Sequence, residues 1–98
     1  MYHLYLDDVR GNDGHDIVIC RDYNSFIETI DMRGLPLSIS FDHDLGAAKD
    51  GFDCAQWLIN YCIKNRQNLP EWSIHSSNPV GKKEIKSVLE TFAKHFKF

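Results

Sequence analysis

Residues 37–44 read LSISFDHD. The apolar side chains of Leu37, Ile39 and Phe41 alternate with two serines, and this period of two predicts a β-strand with one buried face. Two aspartates and a histidine follow at once. Because ligands of α/β proteins bind beyond the carboxyl ends of the strands, polar residues at the end of a buried strand indicate a functional site.

Three more strands and three helices are predicted around this strand. We expect strands at Tyr2–Leu6, Asp16–Cys20, Leu37–Phe41 and Trp72–His75, and helices at Tyr23–Arg33, at Phe52–Arg66 and from Asn78-Pro79 onward. Strands that alternate with helices predict an α/β fold, a single domain over residues 1–98 with an open parallel sheet of about four strands. The link between the first two strands is short, but about nine extended residues reach some 30 Å, so we expect the second strand to be parallel as well.

The composition is that of a globular protein, with 43% hydrophobic and 26% charged residues, and it excludes a disordered chain. No apolar run is long enough to span a membrane, and no basic segment typical of a signal peptide precedes Tyr2. The three cysteines cannot all pair within one chain, and their spacing matches no zinc site. We therefore expect a cytoplasmic protein with three reduced thiols that act as small apolar residues: Cys20, Cys54 and Cys62.

The net charge of −3 is unevenly distributed along the chain. Residues 1–53 hold 11 of the 14 acidic residues, whereas residues 54–98 hold 7 of the 11 basic ones. The chain as a whole is too acidic for a general DNA-binding protein. Carboxylates in one half and basic residues in the other suggest a cation near a phosphate.

Polar segments follow the first, third and fourth predicted strands, so we expect them to meet at one edge of the sheet. They are Asp7-Asp8-Val9-Arg10, Asp42-His43-Asp44-Leu45-Gly46 and His75-Ser76-Ser77-Asn78-Pro79. Asp7, Asp8 and Asp42 would repel one another there, and a divalent cation, Mg²⁺ or Mn²⁺, would relieve that repulsion. Asp44 would complete the metal shell or orient His43. The alternative for these aspartates is a local role in turns and Asx loops.

His43 and His75 are the candidate acid and base, because imidazole exchanges protons near neutral pH. Imidazole can also ligate a metal. A structural, hydrogen-bonded side chain is the alternative for each of them.

Phosphate binding is predicted for Arg10 and for the start of the last helix. Arg10 would hold a phosphate with its planar guanidinium group or neutralise the neighbouring aspartates. Asn78 is a good helix N-cap, and the N–H groups of Val80 and Gly81 would face an anion beyond it.

The chain resembles the cyclic-phosphate processing receiver-like family, a divergent branch of response-regulator receiver domains. Three blocks carry the resemblance: LYLDDVR at 4–10, SFDHDLG at 40–46 and HSSNPVG at 75–81. It implies a compact receiver-like, flavodoxin-like fold in which Asp7, Asp8 and Asp42 hold Mg²⁺. It also implies that Asp42 stands where receivers accept a phosphoryl group, and that Ser76 lies near the receiver hydroxyl position.

The chain departs from ordinary receivers in three respects. It offers neither the usual first helix, between Asp8 and Asp16, nor the fifth strand whose lysine contacts the phosphoryl group. It adds His43 and His75. Loss of the lysine argues against phosphorelay signalling, and gain of two histidines argues for hydrolytic chemistry.

Three functions follow from these observations. The first is a metal-dependent phosphodiesterase that acts on a cyclic phosphate or a nucleotide phosphoester, for example at an RNA end, with Asp42, His43 and His75 as catalytic residues. The second is a phosphoaccepting receiver with Asp42 as acceptor. The third is a non-catalytic module that binds a nucleotide or a protein partner.

Overall fold

The computed structural model describes residues 1–7, 16–46 and 48–98, and these residues form four strands and three helices. The strands are β1 (His3–Leu6), β2 (Ile17–Cys20), β3 (Ser38–Phe41) and β4 (Glu71–Ile74), and the helices are α1 (Tyr23–Arg33), α2 (Gly51–Asn65) and α3 (Pro79–His95). Every predicted element is present, and the boundaries agree within one residue. The predicted absence of a first helix concerns residues 8–15, which lie outside the described residues.

The four strands form one parallel sheet in the order β2-β1-β3-β4. β1 pairs with β2 from His3 opposite Ile17 to Leu6 opposite Cys20, so the predicted parallel direction of the second strand is confirmed. The chain places β2 on one side of β1 and then crosses to β3 on the other side. Strand order therefore reverses between β1 and β3, which is where open α/β sheets bind ligands.

The two faces of the sheet differ in polarity. Leu4, Leu6, Ile39 and Phe41 are almost fully buried and form the core together with apolar residues of the helices. The alternating residues of β1 and β3 point to the opposite face and are only partly buried: His3, Tyr5, Ser38 and Ser40. α2 contacts both α1 and α3, as expected when successive crossovers proceed in the same direction along the sheet. This two-layer arrangement separates an apolar, helix-covered face from a polar face.

Each helix begins at a side chain that caps its free N–H groups. Asp22 caps α1 and accepts a hydrogen bond from the Ser25 backbone N–H. Asp50 caps α2 in the same way through Asp53. Asn78 caps α3 as predicted, and Pro79 occupies the first turn. Because these caps fix where α2 and α3 begin, they also fix the helix ends that face the carboxyl edge of the sheet.

The cysteines are free thiols in the core, as predicted. Burial raises the pKa of Cys62 to about 11 and raises the pKa of Cys54 far above the ordinary range. Neither thiol is therefore a thiolate nucleophile at neutral pH. No helix in the described part of the chain is both long and apolar enough to cross a membrane.

Candidate functional site

Three polar residues lie in one row across adjacent strands. Ser40 of β3 has a paired residue on each neighbouring strand, β1 and β4. Two residues further along the three strands come Asp7 after β1, Asp42 after β3 and His75 after β4. A displacement of two residues keeps a side chain on the same face of a strand, so all three residues belong to the polar face. Register and alternation together bring them side by side.

The ligand atoms of this row are close enough to share one cation. One oxygen of Asp7, one oxygen of Asp42 and one ring nitrogen of His75 lie within 4.8 Å of one another. Asp7 is only 6% exposed, and its backbone N–H donates to the Cys20 carbonyl at 3.0 Å. The backbone therefore holds the Asp7 carboxyl group at the edge between β1 and β2.

His75 is held by contacts on both ring nitrogens. Nδ1 lies 2.6 Å from the Ser40 Oγ, and Nε2 lies 3.4 Å from an Asp7 oxygen. The His75 backbone N–H continues the sheet by donating to the Phe41 carbonyl at 2.9 Å. The side chain is 26% exposed, so Nε2 is directed into the row while solvent still reaches the ring.

His43 belongs to a separate network at the ends of the helices. Nδ1 donates to Asp44 at 2.9 Å, Nε2 lies 3.2 Å from Asp50, and the ring is 14% exposed. Asn78 also donates to Asp44, at 3.3 Å. Burial lowers the pKa of His43, but the Asp44 hydrogen bond and the charges of Asp50, Asp44 and Glu84 outweigh this, so the pKa lies above its ordinary value of 6.5. The imidazolium form is therefore favoured, because carboxylates face both ring nitrogens.

Two glycines allow the backbone to approach this network closely. A Cβ on Gly81 would lie 2.2 Å from the nearest ring atom of His43, and a Cβ on Gly51 would lie 1.9 Å from the Asp42 carbonyl oxygen. The Gly51 N–H donates to the His43 carbonyl at 2.8 Å. The starts of α2 and α3 thus pack directly on the segment that carries the aspartates and His43.

Comparison with protein families identifies the family of this chain. The family model for the cyclic-phosphate processing receiver domain matches residues 2–91. The chain belongs to that family. The resemblance stated from the three sequence blocks is therefore confirmed, and so is the receiver-like fold.

A solved structure supports the fold of this receiver domain. It is described as a yeast Spc42 trimeric coiled coil fused to another structure, and it is similar with a TM-score of 0.63 and 18% sequence identity. The match covers 95% of this chain and 76% of that chain. At this identity the likeness concerns the fold alone. A search of curated proteins finds no match.

The start of α3 contains the phosphate-binding candidates of the receiver domain. Asn78 Oδ1 accepts the Gly81 N–H at 2.9 Å, so the helix cap already uses that donor. The Ser76 hydroxyl accepts the Asn78 N–H at 3.1 Å. Val80 is 67% exposed. These residues form the turn between β4 and α3, which adjoins both His75 and His43.

Two predicted site residues, Asp8 and Arg10, lie outside the described residues, so their roles stay predictions. Asp44 contacts His43 and Asn78 and is not in the row of possible cation ligands found among the described residues. Of the two roles predicted for Asp44, its contacts favour the orientation of His43.

Sequence reasoning missed Ser40 and Asp50 as site residues. The alternation of β3 could have identified Ser40, because it places Ser40 on the same face of the strand as Asp42 and on the opposite face from His43. The same alternation separates the two histidines, because His75 follows the polar face of its strand. The signal for Asp50 is its spacing from Asp53 just before the second predicted helix, which is the spacing of a capping box.

Replacement of Gly81 by alanine tests the packing of α3 on His43. The new methyl group would displace the imidazole ring, so we expect Gly81→Ala to lower the free energy of unfolding by about 2 kcal/mol. His43→Ala removes the ring and makes room for the methyl group. Urea unfolding of both single variants and the double variant should show that the double variant loses at least about 1 kcal/mol less than the two single losses together. Additive losses would show that the ring and Gly81 are not in contact.

Proposed function

We propose that this receiver domain is a metal-dependent phosphoesterase that opens cyclic phosphates by hydrolysis. The observation that supports it is the row of Asp7, Asp42 and His75, whose ligand atoms lie within 4.8 Å of one another at the reversal of strand order. Membership of the cyclic-phosphate processing receiver domain family supports the substrate class.

The three side chains of the row fit a divalent cation. Two carboxylates and one imidazole suit Mn²⁺ well, and Mg²⁺ binds through one or two carboxylates together with water and phosphate oxygens. In the absence of a cation, two carboxylates this close repel each other, and Asp7 is buried. We propose Asp8 as a further ligand on the basis of the sequence.

Hydrolysis of a cyclic phosphate consumes one water molecule. A bond forms between the water oxygen and phosphorus while that water loses one proton to the solvent, one ring P–O bond breaks, and the leaving oxygen takes up one proton. A bound cation would polarise a phosphoryl oxygen and lower the pKa of a water molecule. The carboxylates of Asp7 and Asp42 would hold the cation at the edge of the sheet, where we propose that the substrate binds.

The contacts of His43 suit an acid better than a base. Carboxylates face both ring nitrogens and raise its pKa, which favours the protonated, acidic form, whereas a base requires an unprotonated nitrogen. We propose that His43 protonates the leaving oxygen and that Asp44 orients its ring. His75, with Nε2 directed at Asp7, suits the role of a ligand better than that of a base.

The turn between β4 and α3 is the proposed phosphate-binding segment. Ser76 and the exposed backbone around Val80 lie at the positive end of the α3 dipole. The Asn78 side chain links this turn to Asp44 and to the Gly81 N–H. Arg10 is proposed as a second phosphate ligand from the sequence. A small phosphorylated compound, a nucleotide or an RNA end would satisfy this chemistry.

The test is turnover of defined cyclic phosphates by the purified protein. We expect ring opening of a nucleoside 2′,3′-cyclic phosphate or of an RNA with a cyclic phosphate end, followed by ³¹P NMR, in the presence of Mn²⁺ or Mg²⁺. A chelator should stop the reaction and added metal should restore it. His43→Gln should slow turnover, whereas His95→Gln, a change of an exposed histidine at the end of α3, should not.

Two other outcomes would contradict the proposal. Addition of one phosphate from acetyl phosphate, abolished by Asp42→Asn and without turnover of any cyclic phosphate, would support a phosphoaccepting receiver. Tight nucleotide binding that is insensitive to chelator and gives no product would support a non-catalytic binding module.

A further inference from the structure

We propose that Ser40 is a positioning residue of the cation site, and that its hydroxyl lets His75 change tautomer when a cation binds. This inference rests on the proposed function, because it takes the row of Asp7, Asp42 and His75 as the cation site. Ser40 itself does not contact the cation in this proposal. It acts through Nδ1 of His75.

The geometry begins with the hydroxyl on the polar face of β3. The Ser40 Oγ lies 2.6 Å from His75 Nδ1, and the other ring nitrogen, Nε2, lies 3.4 Å from an Asp7 oxygen. Ser40 lies two residues before Asp42 and therefore shares its face of the strand. The hydroxyl thus supports the imidazole from the side opposite to the carboxylate.

A neutral imidazole has one donor nitrogen and one acceptor nitrogen, and the hydroxyl suits either arrangement. Without a cation, the Ser40 O–H donates to Nδ1, and Nε2–H faces an Asp7 oxygen 3.4 Å away. With a cation on Nε2, the ring proton must be on Nδ1, which then donates to the Ser40 Oγ. One proton moves between the ring nitrogens, and the hydroxyl rotates to match. A hydrogen bond of this kind orients metal-ligating histidines and raises their basicity.

The same strand provides a matched comparison. Ser38 Oγ lies 2.6 Å from Nδ1 of His3, which repeats the serine–imidazole contact of Ser40 two residues earlier on the same face. His3 is not among the residues that could share a cation in the described part of the chain. Removal of the Ser38 hydroxyl therefore measures what a serine–imidazole contact contributes to the sheet at a position away from the proposed cation site.

The experiment titrates the full chain with Mn²⁺ alone and measures the dissociation constant by isothermal calorimetry. We expect Ser40→Ala to weaken Mn²⁺ binding about tenfold, the lower end of the range seen when a supporting contact of a metal ligand is removed. Ser38→Ala should leave the affinity within about twofold, and Ser40→Thr, which keeps the hydroxyl, should restore most of it. In ¹⁵N spectra with Zn²⁺, a diamagnetic cation that imidazole binds readily, His75 should change from the Nε2–H to the Nδ1–H tautomer in the wild type.

Unchanged Mn²⁺ affinity in Ser40→Ala, or equal losses in Ser40→Ala and Ser38→Ala, would overturn the positioning role. So would absence of Mn²⁺ binding by the wild type, or a His75 tautomer that does not change with metal. Failure of the proposed function looks different: the wild type would bind Mn²⁺, Ser40→Ala would bind it less tightly, and no cyclic phosphate would be hydrolysed. Conversely, an active enzyme in which Ser40→Ala binds Mn²⁺ normally would refute this inference alone.

Discussion

Asp42→Asn is expected to reduce kcat/KM for cyclic-phosphate hydrolysis by at least about 100-fold while stabilising the metal-free protein. The amide keeps the size of the side chain but removes the charge that attracts a cation. Without metal, the same change removes the repulsion between Asp42 and Asp7, whose oxygens lie within 4.8 Å of each other. Loss of function and gain of stability should therefore appear together.

Steady-state kinetics with saturating Mn²⁺ and thermal unfolding with chelator measure the two effects of Asp42→Asn. Asp31→Asn provides a charge-matched control, since Asp31 is exposed on α1 and should change neither quantity noticeably. Unchanged turnover in Asp42→Asn would refute the cation site. A lower melting temperature of the metal-free variant would show that the Asp42 charge is stabilised by its surroundings.

Gly51→Ala is expected to cost about 3 kcal/mol or more in the free energy of unfolding. The added Cβ would lie 1.9 Å from the Asp42 carbonyl oxygen and 2.9 Å from the His43 Cα, and both of these neighbours are backbone atoms. Backbone atoms cannot rotate away as a side chain does, so relief requires that α2 move away from the end of β3. That movement would also break the hydrogen bond from the Gly51 N–H to the His43 carbonyl.

Urea unfolding followed by circular dichroism measures this loss. Gln56→Ala, an exposed substitution in the middle of α2, is the control and should change stability by no more than about 0.5 kcal/mol. A loss below about 1 kcal/mol in Gly51→Ala would mean that the start of α2 adapts easily, and the close approach of α2 to Asp42 would then be unimportant for the fold.

Local sequence was enough to predict the elements of this domain. The alternation in LSISF and the Asn78 cap before Pro79 depend on residues close in the chain, so they are visible without tertiary information. Two strands separated by a short link were also predicted to be parallel, because an extended segment is long enough to return to the start of the sheet.

Local sequence was not enough to separate the two histidines. Both follow a strand and both have polar neighbours, so the sequence predicts one acid–base pair. In the folded chain His75 lies with Asp7 and Ser40, whereas His43 lies with Asp44 and Asp50 near the helix starts. The acid–base assignment of the pair stays a prediction, and the geometry leads us to propose separate roles.

The physical reason lies in the range of the interactions. Strand alternation and helix capping act over two to four residues, so a linear sequence contains them completely. The row of Asp7, Asp42 and His75 depends on the register between three strands, and the surroundings of His43 depend on how closely two glycines let the helices approach. Interstrand hydrogen bonds and packing set those relations between segments far apart in the chain, and they exist only once the chain has folded.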